Sequence, residues 1–237
     1  MTSYKSVIII KMSSDKLCSL DNVSRLYFKI TNSKENHSGF QYYDGLNILE
    51  DEFNNNPAAS CVPGGLYFSD AENIFEFLDY GSYLREVTLP INDPDFKMVK
   101  DENNKWRANK IILGKRRKLT NVSTFEYLIS HGANIHTYDD NAIRWASHYG
   151  HLEVVKLLIS KGANIHAANN YALRWASENG HIEVVQLLIS KGANIHANDD
   201  CAIIWAVDNG YLEIVKLLVE VVEFLISKGA NIHACDD

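Results

Sequence analysis

The chain has 237 residues with 46% apolar and 22% charged content, the balance of a folded protein rather than of long disorder. A formal charge of −7 argues against nucleic acid as the main partner, because phosphate binding draws on an excess of Lys and Arg. No apolar run reaches the ~18 residues of a membrane span, and Val7–Ile10 is too short for a signal-peptide core, so a soluble, cytoplasmic protein is expected.

The four cysteines, Cys18, Cys61, Cys201 and Cys235, show neither CxxC spacing nor a small disulfide framework, which fits a reducing compartment. All four prolines fall within the first 94 residues. That first part, residues 1–119, reads as an α+β domain of unassigned activity. Strands are predicted at Val23–Ile30, Gly64–Phe68, Tyr83–Pro90 and Lys105–Leu113. Between them Ser69–Gly81 reads as a helix, with Ser69 and Glu72 as a capping box and Gly81 as terminator. Asp101–Asn104 predicts a hairpin turn, and the basic run Lys115–Lys118 reads as a linker that doubles as a candidate nuclear-import signal.

From about residue 120 the chain repeats itself. Trp145, Trp175 and Trp205 recur every 30 residues, as do His136, His166 and His196, and such a period marks a solenoid of stacked units. Val122–His136 supplies only a second helix, so the first unit is incomplete and must dock on what precedes it. Full units follow at 141–170 and 171–200, and an irregular last unit at 201–237. In the first full unit Ala142–Gly150 forms a short helix with Ile143, Trp145 and Ala146 inward. His151–Gly162 forms the second, with Leu152, Val155, Leu158 and Ile159 at helical spacing and Gly162 as a left-handed stop. Neither is long enough to hold alone in water, so burial against neighbouring units must supply the stability. In the last unit the second helix is stated twice at a seven-residue offset, which nearly preserves its apolar face. One continuous helix is predicted over about 212–228.

The run "GHLEVVKLLISKGANIHA" at Gly150–Ala167 resembles the ankyrin repeat, and the likeness extends over Thr120–Asp237. An all-α ankyrin-type solenoid behind the α+β domain is therefore expected. Two departures stand out. Where the family opens its first helix with Thr-Pro-Leu-His, this chain has Asn141-Ala-Ile-Arg144, Tyr171-Ala-Leu-Arg174 and Cys201-Ala-Ile-Ile204. The unit is also 30 residues rather than the family's usual 33, which implies a shortened finger loop. The ending "SKGANIHA" and the first-helix tryptophan resemble the ankyrin proteins of giant DNA viruses of amoebae.

His136, His166 and His196 lie one unit apart, too far for a shared metal, and are expected to stabilise turns. Trp145, Trp175 and Trp205, each followed by alanine, are expected in the core rather than as a stacking platform. An enzymatic alternative rests on "HSGFQYYDGLN" and "GGLYFSDAENIFEFLDYGSYLREVTLP", which resemble the ADP-ribosyltransferase pattern and would make His37 and Tyr67 the nicotinamide-ribose contacts. Ser38 splits the His-Gly pair of that pattern, and the later glutamate is missing. No catalytic set, cofactor or metal is expected.

Subtracting one unit from the next leaves the positions that differ at the finger loops and first-helix ends, where the resemblance places partner contacts. These are Tyr138, Asp139, Asp140, Asn141, His148, Tyr149, Asn169, Asn170, Tyr171, Glu178, Asn179, Asp199, Asp200, Asp208 and Asn209. A variable strip on a constant frame is what a protein-binding surface needs. A non-enzymatic interaction module is expected, with a protein partner in the host cytoplasm if the origin is viral.

Overall fold

A computed structural model of the chain describes residues 26–59, 61–101 and 103–227. Cys18, Cys235, Val7–Ile10, the start of the expected first strand and the end of the last repeat lie outside the described residues. A β-rich region over about 27–118 precedes a helical solenoid over about 122–227. The described chain forms two compact units. One holds 26–71 and Leu84–Arg116, and the other holds Glu72–Tyr83 and 117–227.

The first unit is built on β1 (Tyr27–Thr31), β4 (Gly45–Ile48), β5 (Leu66–Asp70), β6 (Tyr83–Thr88), β7 (Met98–Lys100), β8 (Trp106–Ala108) and β9 (Lys110–Lys118). They form one sheet in the order β4-β9-β6-β1-β5-β8-β7, while β2 (Asn36–His37) and β3 (Phe40–Gln41) make a separate ribbon. Antiparallel registers include Tyr27 opposite Asp70, Leu46 opposite Ile112 and Lys100 opposite Trp106, the last closing the expected hairpin. Tyr27 meets Phe68 and Trp106 edge-on at centroid distances of 5.2 and 5.8 Å, a favoured aromatic geometry at the centre of the sheet core.

Three expectations for this region are corrected. The single strand predicted at Lys105–Leu113 is two strands, because the chain changes partners at Asn109: β8 pairs with β5 and β7, and β9 with β4. Asn109 secures the change by accepting from the Lys97 N–H at 2.7 Å and donating to the Asp95 carbonyl at 2.8 Å. The capping box does not form. Ser69 belongs to β5, paired with Phe28, and its hydroxyl donates to the Asn104 carbonyl at 3.2 Å. The helix is a 3₁₀ helix at Ile74–Tyr80, and Gly81 after it has an extended φ of 165°. Lys115–Lys118 is no linker but the end of β9, with the Arg116 guanidinium donating to the Ser33 carbonyl at 3.1 Å.

The second unit stacks α1 (Val122–Ser130), α2 (Thr137–His148), α3 (Leu152–Ser160), α4 (Ala167–Glu178), α5 (Ile182–Ser190), α6 (Ala197–Asp208) and α7 (Leu212–Ser227). First helices α2, α4 and α6 pack in one row, and α1, α3, α5 and α7 form a second row. The 3₁₀ helix fills the place of the missing first helix of the incomplete unit. It packs on α2, Phe75 stacks on Phe125 of α1 at 5.4 Å, and the Asn141 amide donates to the Phe75 carbonyl at 2.8 Å.

Each first-helix element opens with a turn of unusual hand. Residues 138–140, 168–170 and 198–200 all have φ between 49° and 59°, closed by hydrogen bonds such as Asn170 N–H to the His166 carbonyl at 3.0 Å. Left-handed backbone is costly for most side chains and least so for Asn and Asp, which fill every one of these positions but Tyr138 and Ala168. This one-turn left-handed link is the shortened finger loop, and it accounts for a 30-residue unit.

α7 runs unbroken to Ser227, as the seven-residue echo requires, yet among its described residues only Ile214 and Leu218 are buried. The tryptophans are buried unequally. Trp145 lies in the core, whereas Trp175 and Trp205 are half-buried, so the expectation of three equivalent core rings is corrected: burial falls along the stack.

Candidate interaction surface

The left-handed turns are held from two sides. The Arg144 guanidinium donates to the carbonyls of Asp139 and Tyr138 at 2.9 and 2.6 Å. Arg174 repeats this on Asn169 and Ala168 at 3.2 and 3.0 Å, while stacking over the Tyr171 ring at 4.3 Å. The arginines standing where the family pattern has histidine thus staple the shortened loop, a use of the fork-shaped guanidinium that a point-charge lysine would not match. The third unit has Ile204 at this position and lacks that staple.

The recurrent histidines brace the same turns. His136 Nδ1 lies 3.1 Å from Asp140 Oδ1, His166 Nδ1 3.0 Å from Asn170 Oδ1, and His196 Nδ1 2.6 Å from Asp200 Oδ1. A third contact ties each unit to the next: Asp140 Oδ1 accepts from the Asn164 N–H at 2.8 Å, and Asn170 Oδ1 from the Asn194 N–H at 2.9 Å. At the start of the stack the Glu72 carbonyl takes that role, accepting from the Asn134 N–H at 3.2 Å.

These ties sort the expected contact residues. Asp140, Asn141 and Asn170 are buried, and their polar atoms are spent on inter-unit hydrogen bonds, so their expected place on an open surface is corrected. Tyr171 is half-buried between Trp175 and Arg174. Tyr138, Asp139, Tyr149, Asn169, Asp199, Asp200, Asp208 and Asn209 are exposed, and His148, Glu178 and Asn179 are partly so. The exposed set falls into two rows, one along the left-handed turns and one along the ends of α2, α4 and α6. Glu178 and Asp208 close α4 and α6, where the helix carbonyls already concentrate negative charge. Sequence reasoning missed Arg144 and Arg174, although Arg-Arg-Ile in successive units at a position where the family has His was visible.

The second row is continuous with a chain of rings. Tyr149, 48% exposed, meets Trp145 at 5.1 Å and His148 at 4.6 Å, and His148 meets Trp175 at 4.8 Å. The His181 Nε2–H donates to the His148 carbonyl at 2.9 Å, which sets its tautomer. Burial, and secondarily the neighbouring His181, holds His151 below the usual imidazole range, which favours its neutral form among these rings.

Tyr67 and His37 lie on different sheets. Tyr67 lies on the large sheet, where its hydroxyl accepts from the Val62 N–H at 3.1 Å and donates to the Val62 carbonyl at 3.0 Å. His37 lies on the separate ribbon. Among the described residues no group of three or more His, Cys, Asp or Glu is placed to hold a metal ion, and no helix is long and apolar enough to cross a membrane.

Comparison with known proteins gives this arrangement a context. A family model described as ankyrin repeats in three copies matches residues 100–169 and 166–236. The chain is 56% identical over 135 residues to the ankyrin repeat protein R868 of Acanthamoeba polyphaga mimivirus, covering 56% of this chain and 66% of that protein. It is 50% identical over 131 residues to mimivirus protein R869, covering 55% of this chain and 95% of that one. With the mimivirus ankyrin repeat protein R229 it shares 42% over 168 residues, 66% of this chain and 54% of the other.

Proposed function

Because the chain belongs to the ankyrin-repeat family, a fold generally known as a protein–protein interaction scaffold, we propose that it is a non-enzymatic adaptor that grips a protein partner with the outer edge of its repeats. The observation that carries this reading is the division of labour within each unit. Apolar side chains that repeat, such as Ala146 and Ala176 or Leu158 and Leu188, are buried, and positions that differ, such as Tyr149 against Asn179 and His148 against Glu178, lie wholly or partly exposed at the ends of the first helices. Asp139, Asp199 and Asp200 on the turns and Glu178 and Asp208 at the helix ends make both rows acidic and favour a basic partner surface. The kinship with mimivirus proteins makes an amoebal host protein the natural target, met in the host cytoplasm.

Capture of amoebal proteins on the immobilised full chain tests this. Tyr138→Ala with Tyr149→Ala removes two exposed rings of the kind that anchor interfaces, and should abolish capture of specific partners with the melting temperature nearly unchanged. Undiminished capture by the folded double variant would move the interface elsewhere.

A further inference from the structure

The sheet unit holds a recess of about 630 Å³ between residues 42–44 and the end of β9, within the size range of small-molecule sites. Its floor is Arg85, whose side chain is 1% exposed. The Arg85 Nε donates to the Gly114 carbonyl at 3.0 Å, and Nη1 donates to both oxygens of Glu35 at 2.7 and 2.6 Å. Glu35 is itself buried and also accepts from the Thr31 hydroxyl at 3.2 Å. The remaining nitrogen, Nη2, donates to Asp44.

Asp44 differs from Glu35 in one respect: its side chain is 89% exposed. A carboxylate standing in solvent therefore touches a guanidinium that is otherwise sealed, so Nη2 faces the recess and already accommodates an oxyanion that arrives from the water side. An ion pair with so exposed a partner is held weakly, because solvent screens it and the free side chain gains entropy by leaving. If Asp44 turns away, the recess keeps one carboxylate, Glu35, against Arg85, Arg116 and Lys115. That balance of +2 matches a dianion better than a single carboxylate. Guanidinium nitrogens are also well shaped for phosphate oxygens. Tyr43, exposed at the rim, offers a ring face to whatever the phosphate carries.

We propose that this recess is a binding site for phosphate monoesters, with Asp44 as a built-in competitor that occupies the Arg85 Nη2 position when no ligand is present. The site is independent of the repeat surface and of the adaptor reading. Its recognition is for the terminal dianion, and the organic group is selected only by its fit against Tyr43.

Calorimetric titration of the full chain with phenyl phosphate, and with acetate at matched ionic strength, tests the proposal. Asp44→Asn removes the competitor's charge at an exposed position and should tighten phenyl phosphate binding by about tenfold or more, with acetate at least about tenfold weaker. Adding Arg116→Gln to Asp44→Asn should reverse most of that gain, and Asp44→Ala should behave as Asp44→Asn does. Unchanged or weaker phenyl phosphate binding in both Asp44 variants would overturn the proposal, as would equal affinity for acetate. Arg85 is left intact throughout, since its loss would strand the buried Glu35.

Discussion

The imidazole of His181 occupies the space that a side chain at Gly150 would fill: a Cβ built on Gly150 would lie 2.5 Å from Nδ1 of His181. One unit on, the ring of Tyr211 stands over Gly180 at the same 2.5 Å. The Gly-His and Gly-Tyr pairs at the inter-helix turns are thus a stacking register, in which each unit's first ring covers the glycine of the unit before. Geometry rather than proton transfer unites His and Tyr at this position, which explains why one can replace the other.

The three turn glycines provide an internal comparison. All have left-handed φ, +68° at Gly150, +77° at Gly180 and +74° at Gly210, but at Gly210 nothing among the described residues lies within 4 Å of a built Cβ. Gly210→Ala should then cost only the backbone term, about 1 kcal/mol, whereas Gly150→Ala and Gly180→Ala should cost about 2 kcal/mol or more beyond it. Urea unfolding of the three variants checks the order. Equal losses would mean that the covering rings move aside freely.

Arg174 and Ile204 occupy equivalent positions with opposite consequences. Arg174→Ile should destabilise the stack by about 1–2 kcal/mol through loss of two charge-assisted hydrogen bonds to the 168–169 carbonyls. Ile204→Arg should stabilise it by roughly 0.5–1 kcal/mol by stapling the 198–200 turn, and removes an exposed apolar side chain at the same time. Thermal melts of the two variants should shift in opposite directions, and a shift in the same direction would refute the staple.

Unequal burial makes the tryptophans inequivalent. Trp145→Ala, in the core between Phe125 and His151, should cost about 3–5 kcal/mol, and Trp175→Ala, half-buried, roughly half as much. Chemical denaturation midpoints at constant slope give the ratio.

Lys29 supplies a pH signature for the sheet unit. It is buried in β1, donates to the Tyr67 carbonyl at 2.8 Å and lies 4.4 Å from the centroid of Tyr42. Burial lowers its pKa to about 7; His37 is lowered by its own partial burial first and by the charge of Lys29 second. Between pH 7 and the unfolded lysine's 10.5 the unfolded chain binds the extra proton, so the Lys29 contribution to stability rises with pH across that window. Lys29→Met should therefore stabilise the fold most at or below pH 7. The wild-type-minus-variant difference should shrink by roughly 3 kcal/mol by pH 10. A difference independent of pH would show that Lys29 keeps its proton in the fold.

What could be read from the sequence was what recurs or echoes. The 30-residue interval of Trp145, Trp175 and Trp205 located the first helices, and the seven-residue echo after Glu213 foretold the unbroken α7. Left-handed turns were hidden because Asn and Asp signal several kinds of turn, and hand is not written in composition. The role of the 3₁₀ helix was hidden by distance along the chain. Asn73-Ile-Phe-Glu-Phe77 does parallel Asn141-Ala-Ile-Arg-Trp145, but the parallel sits outside the periodic region and has no tryptophan. Among the expected contact residues, exposed and buried members looked alike, since Asp140 and Asp139 differ only in where the backbone aims them.

The path of the chain between the two compact units has a bearing on how such proteins arise. It passes from the sheet to the helices after Ala71, returns at Leu84 and leaves again after Arg116. The helix that opens the solenoid is therefore spelled in the middle of the sheet's own text. A recombination event that moved residues 120 onward into another gene would carry away a stack without its first ring partner, Phe75, and without the Glu72 carbonyl that receives Asn134. Whole units such as 141–170, joined to their neighbours by identical ties, are free to be duplicated or lost. Lineages of this protein should accordingly differ in the number of internal repeats while inheriting the sheet and the first repeat as one indivisible block.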